Sequence, residues 1–213
     1  LYHDDVMDEA EMRRNVPSVN AVWGNHTAIL AGDFLLARAS EIAASLGTEI
    51  AGLLARTIGE LCEGQILELQ STYKPSRTQE SYEQSIAGKT ASLLSTACRI
   101  GGLTGGLERH TVDQLTTFGH TYGMAFQIVD DILDVIASED QLGKPAGNDL
   151  IEGVYTLPVL LALESDVGEQ LQELLGKELS TDERDRALSL IRSTGAVEEA
   201  FTRAQFWAQK AKL

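Results

Sequence analysis

Apolar residues in this chain recur at three- and four-residue steps almost from end to end, and that period confines the fold to helices. From Thr27 to Leu46 they are Ile29, Leu30, Phe34, Leu35, Ile42 and Leu46, with Gly47 placed to stop the helix. A second helix is expected from Glu49 to Tyr73, broken at Lys74-Pro75-Ser76. A third runs from Gln79 into the glycines Gly101-Gly102 and Gly105-Gly106, and a fourth from Thr111 to Ile136. A polar loop, Ser138 to Gly153, precedes shorter helices near Leu157–Leu163, Glu169–Leu175, Asp182–Ile191 and Val197–Lys210. No run alternates with the period of a strand. Helices of about 25 residues are roughly twice the globular mean. They predict an all-α chain, a large antiparallel helix bundle, with residues 1–213 as one domain. The chain opens Leu-Tyr-His-Asp-Asp without Met and closes in what reads as mid-helix, so it is expected to be truncated at both ends.

Charge removes several classes of function. Seventeen Lys and Arg against 32 Asp and Glu leave a formal charge of −15. Such a chain has no basic stripe to neutralise nucleic-acid phosphates. No apolar run reaches the ~18–20 residues that cross a bilayer. Cys62 and Cys98 lack the spacing of a thiolate metal site or a disulfide framework and fit a reducing, cytoplasmic compartment.

Two clusters of one residue type carry the chemistry. They are Asp4-Asp5-Val6-Met7-Asp8 and Asp130-Asp131-Ile132-Leu133-Asp134. On a helix, residues four apart share a face, so each cluster makes an acidic stripe, and Gln127 extends the second by one turn. Like charges at that spacing cost about 0.2–0.5 kcal/mol a pair, and a bound cation offsets the cost. Hard oxygen ligands without His or Cys point to Mg²⁺, which takes few carboxylates, several waters and phosphate oxygens. A solvated acidic face is the plain alternative for one such stripe; two stripes on predicted helices weigh against it. A di-iron bundle would need Glu-x-x-His pairs that His3, His26, His110 and His120 do not supply.

Cations stand near the acids in sequence. Arg13 and Arg14 lie one and a half turns past Asp8. Gly88-Lys89-Thr90 places a glycine mid-helix, at a cost of about 1 kcal/mol against Ala, which hints at close approach of a ligand. The loop Gly143 to Asp149 carries Lys144. Each alone reads as a solvated charge; together with Mg²⁺ they match a bound phosphate. Phe201, Phe206, Trp207 and Cys98 read as core or interface.

With those residues in place, the chain resembles the trans-isoprenyl diphosphate synthases, the head-to-tail polyprenyl synthetase family. The matching segments are His3 to Asp8 with Arg13-Arg14, Gly88 to Thr90, Gly123 to Asp134, and Gly143 to Leu150. The resemblance implies a helical bundle around a central cavity and condensation of an allylic diphosphate with isopentenyl diphosphate. It implies that Asp4, Asp8 and Asp131 hold Mg²⁺, three ions with diphosphate bound, with Asp5, Asp130, Asp134 and Asp149 as supports or water-mediated ligands. Arg13, Lys89 and Lys144 would clamp the allylic diphosphate, Arg14 would face isopentenyl diphosphate, and Thr90 and Gln127 would stabilise the allylic cation. It further implies a homodimer, with the helix from Glu49 to Tyr73 at the interface and at most transient contact with a membrane surface.

Two departures stand out. Gly153-Val154 replaces the family's Gly-Lys pair, and the family's isopentenyl-binding Gly-Gly-Lys…Arg segment has no counterpart within the chain. The stretch Asn25 to Ala39 is most similar to long-chain synthases, with a geranylgeranyl- or farnesyl-length product as the alternative. A terpene cyclase would carry an Asn/Asp-x-x-Ser-x-x-x-Glu pattern at the second motif, and a non-catalytic partner subunit would be expected to lose one aspartate stripe. Both stripes are whole.

Overall fold

The computed structural model describes residues 1–14, 16–137 and 146–212. These are all-α apart from one two-residue hairpin, and they fall into two compact units, Leu1–Leu54 and Ala55–Leu213.

The first unit begins with α1, Tyr2–Met7, which ends at Asp8. A hairpin follows, β1 (Met12–Arg13) antiparallel to β2 (Val16–Pro17), turned at Arg14 with φ 51°. Arg13 and Arg14 therefore do not continue the helix of the first aspartates, and strands this short leave no alternation for a sequence to show. Ser18 caps α2 (Val19–Trp23), accepting from the Ala21 amide while its hydroxyl donates to the Ala10 carbonyl. Gly24 and Gly47 bracket α3, Asn25–Ser45, at φ 81° and 114°, backbone that favours glycine. The helix α4 covers Thr48–Ser71 and extends into the second unit.

The second unit is organised on α7, Arg109–Ile136. Its inward face carries Val112, Met124, Ile128, Ile132 and Val135, all buried. Before it stand α5 (Gln79–Ile86), capped by Thr78, and α6 (Ser92–Thr104), joined through a five-residue π-helical turn, Ala87–Ala91. The sequence period predicts this stretch as one helix; the extra residue of the π turn does not disturb it enough to be read. After the described part of the 138–153 loop, α8 (Asn148–Ile151) leads to α9 (Leu157–Leu163). The most apolar run of the chain is α9, and it is core: Leu157 through Ala162 are all buried. The helices α10 (Gly168–Leu174), α11 (Thr181–Arg192) and α12 (Ala196–Lys210) complete the unit. No described helix is long and apolar enough to cross a membrane. Trp207 packs against the core, whereas Phe201 and Phe206 are exposed.

Candidate active site

In the first unit, Asp4 and Asp8 stack as their spacing requires, the Asp8 amide donating to the Asp4 carbonyl at 2.9 Å. Asp4 is half-buried and Asp8 exposed. Asp5 differs from both: it is 2% exposed, and Arg13 crosses from β1 to donate to its Oδ1 through Nε at 2.7 Å and through Nη2. The same guanidinium lies 4.0 Å from Asp4 Oδ2. Burial works against the Arg13 charge, but its hydrogen bond to Asp5 and the charges of Asp5, Asp4 and Asp8 hold its pKa above the ordinary value. Arg13 thus already offsets the charge of Asp5, which leaves Asp4 and Asp8 as the carboxylates that meet solvent. Arg14 is exposed. His3 sits over Gly32, where a methyl group would stand 2.6 Å from its ring, and its Nε2 lies 3.1 Å from Asp33 Oδ1.

In the second unit, α7 places its three aspartates in three settings. Asp130 is exposed, whereas Asp131 and Asp134 are each 4% exposed. Asp134 Oδ2 accepts the Asp149 amide at 3.2 Å, so this acid ties α7 to α8. Asp131 is the end of a chain of side chains. Thr90 donates to Gln127 Oε1 at 2.7 Å, Gln127 Nε2 donates to Asp131 Oδ1 at 2.9 Å, and the Tyr82 hydroxyl donates to Asp131 Oδ2 at 2.5 Å. Burial pushes Asp131 up to about 7, with the charges of Asp130 and Glu68 adding and the two hydrogen bonds opposing.

Lys89, on the π turn, donates to Glu68 of α4 at 2.7 Å. Gly88 has a structural reason that the sequence does not show: a methyl group there would stand 2.6 Å from the Glu60 carbonyl oxygen of α4. Its role is close backbone approach of the two elements. Gly153 is likewise covered by the Tyr73 ring, 2.5 Å from where a methyl group would stand. Lys144 lies outside the described residues.

Three residues of this arrangement escape the sequence. Glu68, Tyr82 and Arg77 carry no motif of their own, although Tyr82 stands seven residues, two helical turns, before Lys89. Arg77 is 8% exposed; its Nη1 donates to the Tyr155 carbonyl at 3.1 Å and its guanidinium carbon lies 5.6 Å from the Tyr82 ring centre.

The donor set suits a hard cation. A buried carboxylate whose proton is held by desolvation gains most from a metal ion, and Asp131 keeps lone pairs beyond the two it has engaged. Among the described residues no three His, Cys, Asp or Glu side chains converge as a closed metal site.

Comparison with known proteins gives the same direction. A family model described as polyprenyl synthetase matches residues 1–191. The chain is 41% identical to heptaprenyl diphosphate synthase component 2 of Geobacillus stearothermophilus, over 99% of this chain and 66% of the relative. It is 44% identical to nonaprenyl diphosphate synthase of Mycobacterium tuberculosis, over 98% of this chain and 64% of the relative. A crystal structure of heptaprenyl diphosphate synthase from Staphylococcus aureus superimposes with a TM-score of 0.93 at 32% identity, over 99% of this chain and 67% of that one. A polyprenyl synthase from Caulobacter crescentus, complexed with calcium and isoprenyl diphosphate, gives 0.92 at 34% identity, over 99% and 66%. The chain spans about two thirds of the length of these relatives. With two aspartate stripes, a Gly-Lys-Thr turn and this helical framework, it belongs to the polyprenyl synthetase family.

Proposed function

We propose that the full protein condenses an allylic diphosphate, farnesyl or geranylgeranyl, with isopentenyl diphosphate to give an all-trans polyprenyl diphosphate. The observation that carries this is the Thr90–Gln127–Asp131–Tyr82 chain, which presents a buried, oriented carboxylate beside a polar amide and hydroxyl. Asp4, Asp8 and Asp131 hold Mg²⁺, with Asp5, Asp130, Asp134 and Asp149 in support. Bound there, Mg²⁺ supplies a Lewis acid for the negative charge that builds on diphosphate as the allylic C–O bond breaks.

The chain's own residues do the rest. Arg13, Lys89 and Lys144 grip the allylic diphosphate, Lys89 exchanging its hold on Glu68 for a phosphate oxygen. Arg14 faces isopentenyl diphosphate. Thr90 Oγ and Gln127 Oε1 direct partial negative charge at the allylic cation. The isopentenyl double bond attacks that cation, a C–C bond forms, and one proton leaves to the departing diphosphate, so no protein nucleophile is required. Apolar helix faces keep water from the cation.

Long products, of the hepta- to nonaprenyl class named for the relatives, are the favoured length. The protein works as a homodimer. A heteromer is the second reading, because a relative named as component 2 implies a further component for that enzyme. Cys62 and Cys98 are both free thiols, in keeping with a cytoplasmic setting.

The test is to incubate the full-length protein with Mg²⁺, farnesyl diphosphate and labelled isopentenyl diphosphate and to size the extracted products. A ladder ending at a long prenyl chain is the expected outcome. Consumption of the primer without label, with cyclic or hydrolysed products, would replace the synthase reading by a cyclase. No turnover with EDTA-sensitive diphosphate binding would leave a binding subunit.

A further inference from the structure

We propose that Tyr82 is a positioning residue for the metal ligand Asp131, its hydroxyl setting the carboxylate's rotation so that the free lone pairs face the ion. The inference rests on the reading of Asp131 as a Mg²⁺ ligand. A carboxylate offers about four lone-pair sites. In Asp131 one site on each oxygen is engaged, Oδ1 by Gln127 and Oδ2 by Tyr82. Two bonds on opposite oxygens fix the plane of the group, whereas one bond leaves a terminal torsion that is broad and two-fold.

The tether itself is rigid. Tyr82 is 1% exposed, and Gln127 is oriented in turn because its Oε1 accepts from Thr90. Behind the ring stands Arg77, also buried, whose Nε and Nη2 have no hydrogen-bond partner among the described residues. A guanidinium held 5.6 Å from the ring centre lies over the ring's π face, and the charges of Glu68 and Asp131 also act on it. Outer hydrogen bonds such as that of Tyr82 tune metal affinity by about 10- to 100-fold.

The competing explanation is that Tyr82 merely fills the core and satisfies its hydroxyl. Tyr155 provides the control, since it is equally buried and its hydroxyl accepts from the Gly176 amide at 2.6 Å, away from the carboxylates. Binding of Mn²⁺ by the full-length protein in the presence of inorganic diphosphate, read from loss of the free-ion electron paramagnetic resonance signal, separates the two. Tyr82→Phe should weaken Mn²⁺ binding about tenfold and raise the Mg²⁺ concentration at half-maximal turnover in parallel, with Tyr155→Phe matching the unsubstituted protein in both. Equal affinity in Tyr82→Phe and the unsubstituted protein, or equal losses in both variants, overturns the proposal.

A second reading needs no change at Tyr82. In full-length protein carrying 3-fluorotyrosine, with every other tyrosine replaced one at a time for assignment, the Tyr82 ¹⁹F signal should move on adding Mg²⁺ with diphosphate. A silent signal overturns the proposal even where Tyr82→Phe does not fold. If Asp131→Asn binds Mn²⁺ as well as the unsubstituted protein, the ligand assignment fails, and the positioning role falls with it by a different result.

Discussion

A carboxylate that is 4% exposed, as Asp131 is, persists only where hydrogen bonds or a counter-ion compensate its desolvation. Gln127 and Tyr82 supply two hydrogen bonds, and a divalent cation supplies the remainder under the proposed function. Asp131→Asn keeps the shape and removes the charge. The variant should fold, as judged by circular dichroism, and lose at least about 100-fold in turnover, the scale set by removal of one preorganised electrostatic group. Asp131→Asn with activity near that of the unsubstituted protein would remove the residue from the site. The aspartates were legible in the sequence because their spacing repeats and carries an electrostatic cost that needs a reason. Tyr82 and Arg77 were not, because a tyrosine on an apolar helix face and an arginine in a turn each look ordinary until the fold brings them together. The sequence also could not rank Asp5 against Asp4: only the crossing of Arg13 from the hairpin shows which acid is already neutralised.

At the level of elements, the π turn Ala87–Ala91 lies between two helices that meet it with glycine. A methyl group on Gly64 of α4 would stand 2.7 Å from the Lys89 amide nitrogen, and one on Gly123 of α7 2.6 Å from the Ala91 Cα. Both are backbone contacts, so neither can be relieved by turning a side chain. Gly64→Ala and Gly123→Ala should each destabilise by about 1–3 kcal/mol, the range for overpacking, despite the helix propensity gained. Urea titration checks this, with Gly101→Ala, which meets open space and should stabilise by up to about 1 kcal/mol, as the comparison. The long helices were legible from their period, and so was the stop at Gly47. The hairpin was too short to show a pattern, and the π turn leaves the apolar period on either side intact. The cap of α11 gives a pH prediction. Ser180 and Glu183 bond reciprocally, and hydrogen bonds from Lys177 and Ser180 lower Glu183 to about 2. A folded-state pKa below the unfolded value means stability present above the unfolded pKa of 4.5 and lost as pH falls towards 2. Thermal melts of Glu183→Gln should therefore lie below those of the parent at pH 6 and converge with them near pH 2.

For the molecule as a whole, the charge of −15 makes any cation stabilising, through relief of self-repulsion, and a bare increase in melting temperature with Mg²⁺ proves little. Screening and site binding differ in what they require. Screening depends on ionic strength, acts without diphosphate, and is indifferent to one aspartate among 32 acidic residues. Site binding stabilises by mass action, about 2.7 kcal/mol at 100 times the dissociation constant, or roughly 3–5 °C for a protein of the relatives' length. Mg²⁺ with inorganic diphosphate should therefore raise the melting temperature of the full-length protein by that amount beyond NaCl of matched ionic strength. EDTA should reverse the excess, and Asp131→Asn should lack it while keeping the NaCl response. An excess that survives Asp131→Asn would mean that the ions sit elsewhere on the acidic surface, and the second aspartate stripe would return to being a solvated face.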